Sequence, residues 1–321
     1  MTGLAAGGQA FSTLVTTPAW REDAVDWIHS VLASRGLRIT GPIEQPRVRP
    51  WSTHLVIPTD VGTVWFKANN PSMAFESALH EALARLVPTH VASPLAVHAE
   101  RGWLLTPDHG PTLADLTTGE ATAVSSPLWC RVVTEAAQIQ VAVVDHRDAL
   151  LATGMTDASP ASVPDRFDQL LDVVEPGLAS QLRERRSELV DAVAALDASP
   201  FAATWQHGDL HPGNVFAGRE SRPTVFDFGD SQWASALEIL VVPFGWAHEH
   251  ADVVWDEMVG AFLDVWGQPR REFDEAWNAV AFTHGVNRAL TWHRALLTAT
   301  SAELAEFGPL AERHLGRLLD A

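Results

Sequence analysis

The chain has 321 residues, a formal net charge of −18, 46% apolar residues and a single cysteine, Cys130. That composition belongs to a folded globular protein. No apolar run approaches the ~20 residues of a membrane span, so no membrane partner is expected. The acidic balance argues against a nucleic-acid partner, and one cysteine excludes both an intramolecular disulfide and a cysteine-based zinc site. The charge is uneven: residues 1–110 hold 9 acids and 8 bases, residues 111–321 hold 31 acids and 14 bases. The acidic half reads either as a solvated surface or as a lure for a cationic ligand. The opening stretch to Trp20 lacks a basic segment and reads as a flexible lead-in rather than a signal peptide, which fits a cytoplasmic location.

Thr17-Pro18 is an N-cap followed by a first-turn proline, and Trp20, Ala24, Trp27, Ile28 and Val31 recur at helical spacing. This predicts a helix over about 18–35, stopped at Gly36. Extended runs follow at about 38–49, 53–58 and 63–68, the last two joined by a T-D-V-G turn. A helix is expected over about 72–87, then strands at about 91–98 and 102–106. After residues 107–111 helical patterns take over, at about 126–144, 164–174, 179–196 and most of 235–317. One short strand pair interrupts them, at about 214–217 and 223–228. The expected organisation is α+β in two lobes. A sheet-rich lobe spans residues 1–107, and a larger helical lobe spans residues 108–321.

Residues 205–229 read WQHGDLHPGNVFAGRESRPTVFDFG. Asp209 and Asn214 share one loop, and Asp227 ends the next strand. A hairpin of the two strands would bring Asn214 and Asp227 together at its open end. A carboxylate that takes a hydroxyl proton, and hard oxygen ligands for Mg²⁺, are what phosphoryl transfer requires.

HGDLHPGN followed by DFG resembles the catalytic core of the aminoglycoside phosphotransferase and choline kinase-like family. These are small-molecule kinases of protein-kinase-like fold. The resemblance implies ATP as donor, with GTP left open, and Mg²⁺ as metal. It implies Asp209 as catalytic base and Asn214 and Asp227 as metal ligands. His207 would brace the loop, and His211 would either face the transferred phosphate or serve the loop. The acceptor would be a small hydroxylated molecule with or without an amine, an antibiotic or a metabolite, and the enzyme a monomer or homodimer.

The resemblance also asks for a lysine on the third strand. Lys67, in Val-Trp-Phe-Lys, is the only lysine of the chain; the other basic residues are all Arg. A compact ammonium among phosphate oxygens is not replaced by the wider guanidinium fork. Alternation puts Val64 and Phe66 on one face and Trp65 and Lys67 on the other. Glu76 lies near the buried stripe of the following helix and is expected to pair with Lys67; Glu81 lies nearly opposite. The glycine-rich phosphate loop of protein kinases is replaced by Pro46-Arg47-Val48-Arg49-Pro50-Trp51-Ser52-Thr53. There Ser52 and Thr53 are phosphate-contact candidates, with Arg47 or Arg49 adding charge. Asp108, in the segment joining the lobes, is placed at the base. Downstream of DFG, Asp230, Trp233 and Glu238 are acceptor candidates.

Two other classes were weighed. A nucleotide-binding module without catalysis is disfavoured because Lys67, Asp209, Asn214 and Asp227 are all present. A metallophosphoesterase would need an upstream D-x-H and a later G-N-H, and residues 1–110 contain neither.

Overall fold

The computed structural model describes residues 9–116, 125–218, 222–250 and 252–320. Helix α1 (Phe11–Leu14) precedes α2 (Pro18–Ser34), whose N-cap Thr17 accepts a hydrogen bond from Trp20 N–H. Residues 1–8 of the expected lead-in lie outside the described residues; from Phe11 onward it is ordered, because Phe11 and Val15 are buried.

Strands β1 (Glu44–Val48), β2 (Ser52–Thr59), β3 (Gly62–Asn69), β4 (Ala96–His98) and β5 (Trp103–Pro107) form an antiparallel sheet in the order β1-β2-β3-β5-β4. Helix α3 (Phe75–Leu86) connects β3 to β4. Alternation along the central strands buries Leu55, Ile57, Val64 and Phe66 against Ala24, Ile28 and Leu32 of α2. Trp20, Trp27, Phe66 and Trp103 fill this layer with edge-to-face contacts between 5.5 and 6.4 Å.

The helical lobe contains α4 (Leu113–Leu116), α5 (Ser126–Val143), α6 (Arg147–Leu151), β6 (Thr156–Asp157), α7 (Val163–Leu171), α8 (Pro176–Glu184) and α9 (Arg186–Ala198). Then come β7 (Ala203–Gln206), β8 (Val215–Phe216), β9 (Thr224–Val225) and β10 (Gln232–Ser235). Four helices close the chain: α10 (Val241–Glu249), α11 (Trp255–Trp266), α12 (Arg270–Ala295) and α13 (Ser301–Asp320). Helix α5 packs on α11, and α12 packs against α7, α9 and α13. The larger core gathers α3, α5, α11 and the buried strand β7 around Trp129, Trp205 and Phe228.

The alternation of strand, helix and strand in the first third is as expected, with β2 and β3 each one residue longer at both ends than expected and other elements shorter. The extended run from 38 keeps only β1 as strand, Ile39 making an isolated bridge to Thr59. The strand expected from 91 begins at Ala96. The helix expected over 179–196 is two helices meeting at Arg185. The sheet β6-β10-β7 was not foreseen. Its strands are two to four residues long, and β7 and β10 are buried almost throughout, so they carry no alternation to read. Among the described residues no helix is long and apolar enough to cross a membrane.

Ile28 is fully buried between α2 and the sheet. Ile28→Ala is expected to cost about 2–5 kcal/mol of stability, read as a lower denaturant midpoint without a change in slope.

Candidate active site

The hairpin β8–β9 does what the sequence asked of it. Val215 pairs with Val225, and Phe226 N–H donates to the Asn214 carbonyl at 3.1 Å, which sets Asn214 beside Asp227. His207, fully buried, ties the two loops together. Its Nε2 bonds the Phe226 carbonyl at 2.9 Å, and its Nδ1 accepts from Asp209 N–H at 3.3 Å. The second bond leaves the ring proton on Nε2, and burial lowers the pKa, so this imidazole is a neutral brace. Gly208, with φ +85°, passes so close to the Asp230 carbonyl that a Cβ would overlap it. Asp227 is the only non-glycine residue with positive φ among those described (φ 64°, ψ 71°). Such a backbone is costly for a residue with a side chain and is characteristic of sites.

Lys67 Nζ lies 2.6 Å from Glu76 Oε2 and 2.8 Å from Asp227 Oδ1. Asn69 Nδ2 donates to Glu76 Oε2 at 2.7 Å. Glu76 is buried and Glu81 exposed, as the helical phase required. Burial disfavours the Lys67 cation, but Asp227 and Glu76 overcome it and raise its pKa. Burial also opposes ionisation of Asp227; the Lys67 ammonium outweighs it and holds this carboxyl well below the usual range. Lys67 and Asp227 are therefore both charged at neutral pH.

Two cavities meet at these residues. One, of about 320 Å³, is bounded by Trp65, Leu104, Thr106, Asp108 and His109 on one side and by Phe216 and Phe226 on the other. Phe216 and Phe226 stack at 3.9 Å, giving it an apolar floor. The second, of about 360 Å³, is bounded by Trp51, Ser52, Asp209, His211, Asp230, Arg288 and Trp292. Arg47, Lys67, Gly213, Asn214 and Asp227 line both.

Asp209 faces the second cavity. Its Oδ1 is 3.3 Å from Arg288, its Oδ2 is 3.6 Å from His211 Nε2, and its main-chain carbonyl accepts from Asn214 Nδ2 at 2.9 Å. His211 Nδ1 accepts from Gly213 N–H, so its Nε2–H points to the carboxylate. The Asn214 amide nitrogen is thus used within the loop, and its carbonyl oxygen is the atom that could hold a metal ion. One amide oxygen and one carboxylate suit Mg²⁺, which takes its remaining ligands from phosphates and water. Among the described residues no three His, Cys, Asp or Glu side chains cluster as a metal site.

Several expected contacts fall elsewhere. Thr53 is buried, and its hydroxyl donates to the Arg47 carbonyl and accepts from Gln45, so it fixes the β1–β2 turn instead of facing phosphate. Arg47, Trp51 and Ser52 are the members of that segment that line a cavity. Trp233 is in the core, paired with Trp205 across β7–β10. Glu238 is buried and held by Asn287 Nδ2 at 3.1 and 3.2 Å; it lines neither cavity. Of the three acceptor candidates only Asp230 lies in the cavity wall. The Asp108 carboxylate accepts from Gly110 N–H and its own N–H donates to Thr63, so the aspartate shapes the connecting segment at the rim of the first cavity. Sequence reasoning missed Arg288 and Trp292, which lie in a long helix without local motif, and His54, which sits directly across from Lys67 in the β2–β3 ladder.

Fold and site together define a small-molecule kinase of protein-kinase-like architecture. The chain belongs to the phosphotransferase enzyme family (APH), whose sequence model matches residues 56–285, more than half of it. Among solved structures, macrolide 2'-phosphotransferase type I is similar over 92% of this chain and 98% of its own, at 15% identity and a TM-score of 0.59. Spectinomycin phosphotransferase APH(9)-Ia, in complex with ADP and spectinomycin, matches over 92% and 96%, at 11% identity and a TM-score of 0.52. Choline kinase LicA from Streptococcus pneumoniae matches over 92% and 99%, at 10% identity and a TM-score of 0.54. No curated protein sequence matches the chain significantly.

Burial holds the pKa of His80 at about 4 and that of His54 at about 3, below the ordinary 6.5. Both rings are neutral in the folded protein, so unfolding takes up protons below pH 6.5. Their contribution is complete above that pH and declines as the pH falls towards those values. His80→Gln is expected to lose less stability than the wild type between pH 7 and pH 5, measured as the shift in denaturant midpoint across a pH series.

Proposed function

We propose that this kinase transfers the γ-phosphate of ATP to a hydroxyl group of a small molecule, with the nucleotide in the first cavity and the acceptor in the second. The observation that carries this reading is that Lys67, Asn214 and Asp227 line both cavities while Asp209 faces only the second. A triphosphate running from the first cavity past these residues ends at Asp209. The apolar floor of Phe216 and Phe226 suits a purine ring. ADP in the related spectinomycin phosphotransferase supports a nucleotide donor.

Lys67, fixed by Glu76, holds the α and β phosphates, and Arg47 and Ser52 sit at the phosphate end. Asn214 and Asp227 would hold Mg²⁺, which would supply positive charge against the phosphates during transfer. Asp209 orients the acceptor hydroxyl through Oδ2 and takes its proton. The acceptor oxygen bonds to the γ phosphorus as the bond to the β,γ-bridging oxygen breaks, and ADP leaves. His211 Nε2–H lies on the same side as that oxygen and steadies the carboxylate.

Asp209→Asn is expected to lower kcat by about 10²–10⁴-fold while leaving Mg²⁺-ATP binding within a few-fold of the wild type. Lys67→Ala is expected to weaken nucleotide binding itself. Diphosphate release in the presence of acceptor, together with calorimetric nucleotide titration and GTP as a parallel donor, separates the two effects. Undiminished turnover by Asp209→Asn would remove Asp209 as the base.

A further inference from the structure

The wall of the second cavity is electrically matched. Its three carboxylates are Asp209, Asp227 and Asp230, and its three cations are Arg47, Lys67 and Arg288. Asp227 is paired with Lys67 at 2.8 Å. Asp209 and Asp230 are both paired with Arg288, whose two terminal nitrogens lie 3.3 Å from Asp209 Oδ1 and 2.9 Å from Asp230 Oδ1. The Arg288 side chain is only 9% exposed, enclosed in the middle of α12, so it cannot swing away into solvent. Its guanidinium also covers the ring of Trp292 at 5.6 Å, which occupies an aromatic face that would otherwise attract a cation. The acids that residues 111–321 bring to this cavity are therefore offset there by Arg288 together with Arg47 and Lys67 of the sheet lobe. The other acidic acceptor candidate, Glu238, is buried behind it.

One side of the cavity is formed by a turn that is fastened to the helical lobe. Trp51, at the tip of the β1–β2 turn, meets Trp292 at 5.5 Å and Phe307 of α13 at 5.1 Å. Asn70 Nδ2 donates to the Pro50 carbonyl at 3.1 Å and to the Ala295 carbonyl at 2.9 Å, and Ser72 Oγ donates to the Arg294 carbonyl at 2.7 Å. These contacts fasten the turn to the end of α12. The volume of about 360 Å³ is near the lower end for ligand sites.

We infer that Arg288 is a specificity-determining residue and that the acceptor is a compact, uncharged hydroxylated molecule of sugar or cyclitol size rather than a polyamine antibiotic. An ammonium group entering here loses its water and finds one oxygen of each carboxylate already held by a cation, with a guanidinium beside it. A neutral ring instead finds the aromatic surface of Trp51, a hydroxyl partner in the partly exposed Asp230 carboxylate, and the Asp209 base. This inference rests on the assignment of the second cavity to the acceptor.

Matched probes test it: glucose against glucosamine, and scyllo-inositol against streptamine. Kanamycin serves as a large polycation. Binding is followed by tryptophan fluorescence with Mg²⁺-nucleotide present, since Trp51 and Trp292 line the cavity, and turnover by diphosphate release. The neutral member of each pair is expected to bind about tenfold or more tightly than its amine, with kanamycin inert. Arg288→Gln, which leaves Asp230 and Asp209 without their cation, should narrow or invert that ratio, and Arg288→Lys should keep it. Wild-type preference for the amine members or for kanamycin would overturn the inference, and the wild-type comparison decides this even if Arg288→Gln fails to fold. An unchanged ratio in a folded Arg288→Gln protein would remove Arg288 as the determinant. If nucleotide binds but no neutral probe does, the acceptor class is wrong while the kinase reading stands. If nucleotide itself does not bind, both fall.

Discussion

The buried ammonium of Lys67 is the contact on which the rest of the site depends. A charge withdrawn from water must be paired, and removing one partner of such a group leaves an uncompensated charge that is strongly destabilising. Lys67 finds Glu76 on α3 and Asp227 at the end of β9. Three segments distant in sequence are thereby held to one point: the central strand of the sheet, the helix that follows it, and the loop that opens the second half of the site. Asn69 completes the set by donating to Glu76. Asp227 adopts a left-handed backbone within this arrangement, and the ion pair with Lys67 contributes to holding it there.

The same economy governs the other side of the cleft. Arg288 does for Asp209 and Asp230 what Lys67 does for Glu76 and Asp227: one cation answers two carboxylates. The two differ in position. Lys67 lies between both cavities, whereas Arg288 lines only the second and packs over Trp292. The segment standing in place of a glycine-rich loop is correspondingly stiff. Thr53 binds its own turn, and Trp51 leans on Trp292 and Phe307. Two proline residues flank Arg47, Val48 and Arg49 in that turn, and each fixes its own backbone torsion. Position in the cleft is secured here by aromatic packing and side-chain hydrogen bonds where a glycine loop would rely on main-chain amides.

Much of the site was legible because phosphoryl transfer places its groups in short, ordered strings. Asp209 and Asn214 share one loop, Asp227 closes the next strand, and a two-strand hairpin is enough to bring them together. Lys67 stood out because every other base is an arginine, and Glu76 because the phase of α3 admits only one acidic residue to the cleft. The acceptor wall was not legible in this way. Trp233 and Glu238 had suitable chemistry, but β10 and the turn after it point both into packed interior, where Trp233 meets Trp205 and Glu238 meets Asn287. Thr53 looked like its neighbour Ser52, yet successive residues of a strand face opposite sides, and only Ser52 lines a cavity.

The sequence by itself determined the protein-kinase-like class, the meeting of Asn214 with Asp227 and the pairing of Lys67 with Glu76. Each of these is written in local spacing: loop length, strand alternation and helical phase. Only the tertiary structure decided what surrounds the second cavity. That wall is assembled from the tip of a turn near residue 51, the loop at 209–214 and the middle of α12, and no local pattern connects them. Arg288 occupies a helical position that reads like any amphipathic arginine. Its place between two aspartates follows from how α12 crosses the catalytic loop, a consequence of the packing of buried faces against one another rather than of any motif around residue 288.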